Sequence, residues 1–216
     1  MRIEIHPEHP EPRKIARAVD ALRRGGCIAY PTDTVYGLGC AMSDKRAVDN
    51  LYAMKRMPRD HALALVVPDL SGISQFAVVE DFHYRFVKRL VPGPYVFILT
   101  ATREVPKILM MKRKSVGIRV PAHAIPLALA QALGEPILST TASHPADGPE
   151  ALQDPDDIDA RFPTLELVLD AGLGALHPST VLDLTDKEPA LVRAGAGMEL
   201  IEKLYGIRAP IMDDDA

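Results

Sequence analysis

Short apolar runs alternate with stretches of helical spacing along the whole chain, and this alternation restricts the fold more than any other feature. The runs are Cys27–Tyr30, Leu63–Val67, Tyr95–Ala101, Val116–Val120, Pro136–Thr140, Leu165–Leu169 and Thr180–Leu184. Each has the length of a buried strand. Between them, Ile15, Val19 and Leu22 recur at helical spacing from Pro12 to Arg24. Pro12 suits a first helical turn and Gly25-Gly26 a stop. Val48, Leu51 and Met54 repeat the pattern in a helix that Ser43 can cap and that ends near Lys55. Phe82, Phe86 and Leu90 do so from Glu80 to Leu90, up to Pro92-Gly93-Pro94. Ile125–Leu133, Asp156–Arg161 and Met198–Tyr205 supply the remaining helices. Strands alternating with helices predict an α/β fold with a mixed sheet. Thr32–Gly39 reads as a loop, and Ser143–Pro155 as a long loop that covers a site rather than dividing domains.

The 216 residues, 47% hydrophobic and 25% charged, are read as one domain over 1–216 with a frayed acidic tail at Asp213–Asp215. No apolar run reaches the ~18 residues of a membrane helix. The start, MRIEIHPEHPEPRK, has charges and prolines where a signal peptide needs an apolar stretch, which points to a cytoplasmic product. Cys27 and Cys40, with no CxxC and no Cys/His cluster, argue against a zinc module or a disulfide scaffold and suit a reducing compartment. His61, His123 and His144 lack metal spacing and read as surface loop residues, so no protein-bound metal is expected.

Charge is unevenly spread. The formal net charge is −4, yet between Phe82 and Arg119 nine Lys and Arg stand against Glu104 alone. From Thr141 to Ala190 eleven Asp and Glu stand against Arg161 and Lys187. Such a chain can present a basic face to phosphates despite its acidic total. The plainer alternative is that solvated faces happen to segregate.

Motifs of several common chemistries are missing. The chain has no GxxxxGK[ST], GxSxG, HExxH or GxGxxG. What it does have is strands ending in Thr, Ser, Gly or Arg: Pro31–Gly39, Val116–Pro121 with Arg119, and Ile137–Ser143. His177-Pro178-Ser179-Thr180 enters a strand from its N-terminal side. In open α/β sheets, ligands sit where such loops converge. Hydroxyls and backbone N–H groups there can cradle phosphate, and Arg can grip a carboxylate or phosphate with two parallel hydrogen bonds.

YPTDTVYGLGC at Tyr30–Cys40, KRMP at Lys55–Pro58, VGIRVPAH at Val116–His123, PILSTTAS at Pro136–Ser143, PSTVLDLT at Pro178–Thr185 and VRAGAG at Val192–Gly197 together resemble the YrdC/YciO family. The motifs stand in family order across a core of about residues 12–197, and the stretch from Pro92 to Ser139 looks most like the YciO branch. The resemblance implies a twisted open mixed sheet around a large basic concave cavity. It implies an L-threonylcarbamoyladenylate synthase-type nucleotidyltransferase, joining L-threonine, bicarbonate and ATP for tRNA modification. The alternative within the same resemblance is a non-catalytic protein that binds double-stranded RNA or tRNA. By position in the matched motifs, Thr34 and Arg119 would hold threonine's polar ends, and Lys55 would offset phosphate or carbamate charge. Ser139 and Thr141 would offer hydroxyls near the adenylate. Arg56, Ser143, Ser179, Thr180 and Arg193 would sit by the phosphates. Mg2+ would accompany the nucleotide through phosphate oxygens and water. Two positions depart from the synthases' KxRP and SxN motifs: Met57 stands in place of an arginine, and Ser143 in place of an asparagine.

Overall fold

A computed structural model describes residues 1–59, 61–148 and 150–209, the side chains of 112 and 147 excepted. The acidic tail lies outside the described residues. In chain order the elements are β1 (Arg2–Glu4), α1 (Pro12–Arg23), β2 (Ile28–Tyr30), β3 (Gly37–Ala41), α2 (Lys45–Lys55), β4 (Ala64–Val66), α3 (Leu70–Phe76), β5 (Ala77–Val78), α4 (Asp81–Lys88), β6 (Tyr95–Ala101), β7 (Ser115–Arg119), α5 (Ala124–Leu133), β8 (Ile137–Thr141), α6 (Pro155–Arg161), β9 (Leu167–Asp170), β10 (Thr180–Asp183), β11 (Ala190–Arg193) and α7 (Met198–Tyr205). The strands form one open mixed sheet in the order β1-β9-β2-β3-β8-β4-β7-β6-β10-β11, with β5 beside β6. The β1–β9, β2–β9, β4–β7 and β6–β10 pairs are parallel, and the other pairs are antiparallel. The expected α/β class and mixed, twisted open sheet are the observed ones.

Register decides which side chains share a face, because successive residues of a strand point to opposite sides. In β6, Tyr95, Phe97 and Leu99 are buried, while Val96, Ile98 and Thr100 are partly or fully exposed. Phe97 pairs with Ile118 and Ile98 with Gly117, so Ile118 joins the buried side and Gly117 and Arg119 the other. Gly117 pairs with Ala64, Ala64 with Ser139, Ser139 with Gly39, and Thr141 with Gly37. One face is thus packed throughout: Leu51 of α2, Ile73 of α3, Phe86 of α4, Ile158 of α6 and Ile201 of α7 close over Leu38, Leu65, Phe97 and Ile118. Each such side chain contributes about 1.5–3 kcal/mol when buried. The other face is covered on one half only. There Ile15, Val19 and Leu22 of α1 and Ile125 and Leu129 of α5 pack on Ile28, Tyr30, Val66, Ile137 and Leu167. The half carrying Ala64, Val96, Ile98, Ser139 and Thr141 stays partly accessible.

Several boundaries differ from the sequence reading. Gly37–Ala41, most of which falls in the stretch read as a loop, is a fully buried central strand. Its glycines serve close approach: a Cβ on Gly39 would lie 2.6 Å from Ile137 Cγ2 and 3.0 Å from Tyr30. Asp44, not Ser43, caps α2, accepting from Ala47 N at 3.0 Å. Ser43 instead bonds Glu135. Phe82 of α4 is 54% exposed, and the buried stripe runs through His83, Phe86, Val87 and Leu90. The edge strands β1 and β11 and the short α3 and β5 escaped detection, because each is brief and most of their residues carry no full apolar period.

Candidate functional site

Arg119 ends β7 on the half-covered face and is 8% exposed. Its Nη2 donates to Asp33 Oδ1 at 2.5 Å, to Thr34 Oγ1 at 2.9 Å and to Thr32 Oγ1 at 3.3 Å. The loop after β2 can meet it because Thr32 builds a local turn: its hydroxyl accepts from Thr34 N at 3.0 Å and donates to Val35 O at 2.8 Å. Thr34 is fully buried. Arg119 Nε and Asp33 Oδ2 are buried with no hydrogen-bond partner among the described residues. Arg119 is therefore no surface ion pair, and Asp33 is a site member that sequence reasoning passed over. The signal was present, since Asp33 lies between two hydroxyl residues in a strand-end burst.

A second cluster sits where β8 ends. Lys55, 4% exposed, donates Nζ to Thr141 O at 2.8 Å, to Ser143 Oγ at 3.0 Å and to the Ser143 carbonyl. Those three bonds use all its donors. All the acceptors are neutral, and burial pushes the amine down to about 8. Ala142 N donates to Tyr36 O at 2.8 Å, which ties this turn to the loop carrying Thr34. Ser139 is engaged by Tyr30, whose hydroxyl lies 2.6 Å from Ser139 Oγ and is pushed up to about 12 by burial.

The third cluster joins β10 and β11. Arg193 grips the Ser179 carbonyl through Nε at 3.1 Å and Nη2 at 2.8 Å. Thr180 is fully buried; its hydroxyl donates to Ala196 O at 2.8 Å and accepts from Gly195 N at 3.1 Å. Burial and the charge of Arg119 hold the Arg193 guanidinium below its ordinary value, so the two arginines share one electrostatic environment. Arg56 stands apart. It ends α2 in the left-handed region at φ 51° with its side chain exposed.

Of the histidines read as surface loop residues, His61 is exposed, but His144 is 7% exposed and packs edge-on against Phe162. His123 is half-buried; its ring nitrogen caps α5 by accepting from Ile125 N at 3.2 Å, and burial lowers its pKa. A groove of about 660 Å³ is lined among others by Tyr52, Arg59, Ile98, Met111, Arg113 and Asp183. Thr34, Lys55 and Arg119 do not line it. The segment after Ser143 folds back on β8: Leu152 N donates to Ala142 O at 2.7 Å.

A family model for the Sua5, YciO and YrdC proteins, described as telomere recombination, matches residues 20–195. The chain belongs to this family. It is 45% identical over 195 residues to an uncharacterized protein of Haemophilus influenzae, covering 89% of this chain and 94% of that one. The crystal structure of Escherichia coli YciO superposes with a TM-score of 0.87 at 41% identity, covering 91% of this chain and 96% of YciO. Pyrococcus abyssi Sua5 complexed with L-threonine superposes with a TM-score of 0.86 at 30% identity, covering 95% of this chain and 61% of Sua5. The Sua5/YciO/YrdC family thus includes threonylcarbamoyl-AMP synthases, and a Chromobacterium violaceum member so named is 34% identical over 180 residues, covering 82% of this chain and 92% of that one.

Within this Sua5/YciO/YrdC chain, Met57 turns inward. It packs against the core, and Thr140 Oγ1 lies 3.9 Å from its sulfur. Neither neighbouring arginine fills that place. Arg59 pairs with Asp49 at 2.6 Å and lies over the Tyr52 ring, and Arg56 points to solvent. Among the described residues, no helix is long and apolar enough to cross a membrane.

Proposed function

We propose that the protein binds L-threonine and a nucleotide on the half-covered sheet face and forms a threonylcarbamoyl-AMP-type product. The observation that carries this reading is the buried meeting of Arg119 with Asp33 and Thr34. A guanidinium held between a carboxylate and a hydroxyl is pre-positioned for the two charged ends of an amino acid. The likeness to a Sua5 complexed with L-threonine supports the same substrate.

The chemistry asks for positive charge. Threonine's amine takes up CO2 from bicarbonate to give a carbamate. A carbamate oxygen then attacks the α-phosphate of ATP and pyrophosphate leaves. Two anions must meet, so donors and cations must stand where negative charge builds. Lys55 and Arg193 are cations that donate to neutral oxygens, and Arg119 shares its charge with Asp33. Lys55 works here by shaping the Thr141–Ser143 turn and by its field, since its hydrogens are already spent. Ser143 and Thr141 line the turn, Ser139 lies on the floor, and Ser179 and Thr180 open β10 opposite the end of β11, where Arg193 grips the Ser179 carbonyl. Among the described residues no acidic or histidine cluster could hold a metal ion, so Mg2+ would enter on the nucleotide's phosphates.

Pyrophosphate release from ATP by the full chain tests the reading. Release that depends on both threonine and bicarbonate is expected; release indifferent to threonine, or none, rejects the synthase chemistry.

A second reading is RNA binding without that chemistry, including tRNA. It is favoured by the exposed Arg85, Lys88, Arg89, Arg103, Lys107, Arg113 and Lys114. Phosphate-driven binding weakens steeply as salt rises. A duplex RNA retained equally at low and high salt, or not retained at all, counts against it.

A further inference from the structure

Cys27 and Cys40 face each other across the first two strands of the central hairpin. Ile28 is opposite Gly39 in the antiparallel β2–β3 pair, and the same register carries Cys27 opposite Cys40. Both thiols are free and buried, and they lie within hydrogen-bonding reach of one another. Opposed residues of antiparallel strands have Cα atoms about 4.5–5.5 Å apart, inside the span a disulfide bridges. Opposed Cβ atoms in antiparallel pairs stand about 4.5–5.5 Å apart against the ~3.8 Å a disulfide prefers, so closing the bond draws the two strands slightly together.

The two thiols differ in access. Cys40 lies inside the sheet, with Leu138 of β8 beside it, and is fully buried. Cys27, just before β2, borders a surface cavity of about 550 Å³ lined by Arg24, Gly26, Asn50, Met54 and Glu166. Both belong to the packed face of the sheet, opposite the Arg119 cluster. We propose that Cys27 and Cys40 are a reversible dithiol–disulfide modification site that responds to peroxide through the Cys27 cavity.

The step balances with a peroxide as the two-electron oxidant. The Cys27 thiolate attacks one peroxide oxygen, the O–O bond breaks, and the leaving hydroxide takes the proton that the Cys27 thiol gave up, leaving a sulfenic acid and one water. The Cys40 sulfur then attacks the Cys27 sulfur, the S–S bond forms and a second water departs. A small dithiol reverses it by exchange. Cys27 is the attacking group because it borders the cavity, whereas Cys40 is sealed inside the sheet; the hydrogen bond between them favours the same order by lowering the Cys27 thiol. The ring so closed would enclose the whole Pro31–Tyr36 loop, Thr34 included.

Both cysteines fall within one stretch free of Lys and Arg, Gly25 to Asp44, so trypsin releases them in a single peptide ending at Lys45. The native full chain is treated with hydrogen peroxide, quenched, denatured, alkylated, digested and weighed. The expected peptide is lighter by two hydrogens, carries no alkyl group, and regains two alkylatable thiols after dithiothreitol. A doubly alkylated peptide, a dioxidised Cys27 beside an alkylated Cys40, or a disulfide-linked dimer of chains overturns the proposal. In C40S, Cys27 is expected to be trapped by dimedone after peroxide, and in C27S the Cys40 thiol stays alkylatable. A dimedone adduct on Cys40 in C27S overturns the order of attack. Should either variant fail to fold, the wild-type peptide alone decides.

Discussion

Arg119 and Asp33 form an ion pair in which the two side chains keep only 10% and 11% of their exposure. The pair links β7 to the loop after β2, although 86 residues separate its members. Removing one partner of a buried pair strands the other charge, which costs about 3–5 kcal/mol. D33N is therefore expected to lose stability on that scale in urea unfolding at neutral pH. A loss below about 1 kcal/mol, the range of surface pairs, would mean water already screens the contact.

On the proposed function, threonine recognition turns on the same group. T34V keeps the shape of Thr34 but removes the hydroxyl that accepts from Arg119 at 2.9 Å. A hydrogen bond to a charged group is worth about 1.5–3 kcal/mol, so threonine affinity is expected to fall about ten-fold or more. Isothermal calorimetry reads it directly, and unchanged affinity would remove Thr34 from the binding site.

The pH dependence of stability has a signature from Lys55. Its amine sits at about 8 in the folded chain against an ordinary 10.5. Between those values the unfolded chain binds more protons, so stability rises with pH across that window. Below about 8 the penalty is fully present. Tyr30 acts oppositely: raised from 10.0 to about 12, its contribution is full below 10 and is lost as pH climbs through 12. The Lys55 share is isolated by comparing wild type with K55M, in which the rise from pH 8 to 10.5 should vanish.

Gly195 is packed under backbone. A Cβ there would lie 2.3 Å from Pro178 O and 2.7 Å from Ser179 C, neither of which can swing aside. G195A is expected to destabilise by about 1–3 kcal/mol, the usual cost of overpacking. The same strain disturbs the carbonyl that Arg193 grips, so nucleotide affinity should fall with stability in chemical denaturation and calorimetry run side by side.

If the synthases' KxRP and SxN motifs carry over as the resemblance implies, Met57 and Ser143 take the places of an arginine and an asparagine. M57R combined with S143N would replace a thioether and a hydroxyl with charge-assisted and amide donors near the β8 end. A gain of ~1.5 kcal/mol or more in phosphate binding corresponds to about a ten-fold rise in ATP affinity. Threonine-dependent pyrophosphate release should rise with it, and no gain in either would place the limiting step elsewhere.

Much of this site was legible in the residues themselves. Thr34, Arg119, Ser139, Thr141 and Ser179 are visible as hydroxyl or cationic groups where apolar runs begin or end, whereas Lys55 and Arg193 are singled out only by the family resemblance. Their partners are not legible in this way. Asp33 read as one turn residue among several, and nothing local shows that Arg119 will reach it. Lys55 is expected by the resemblance to offset phosphate or carbamate charge, yet its donors close on Thr141 and Ser143. Gly37 and Gly39 read as a loop because their role, letting Tyr30 and Ile137 press against the strand, depends on neighbours supplied by distant segments.

The sequence by itself determined the α/β class, most of the elements and the kinds of groups available for chemistry, because apolar period and turn chemistry are local properties. Only the tertiary structure decided strand order, which sheet face α1 and α5 leave half uncovered, and which charges pair. Those depend on register between segments far apart in the chain, where a shift of one residue would send every side chain to the opposite face.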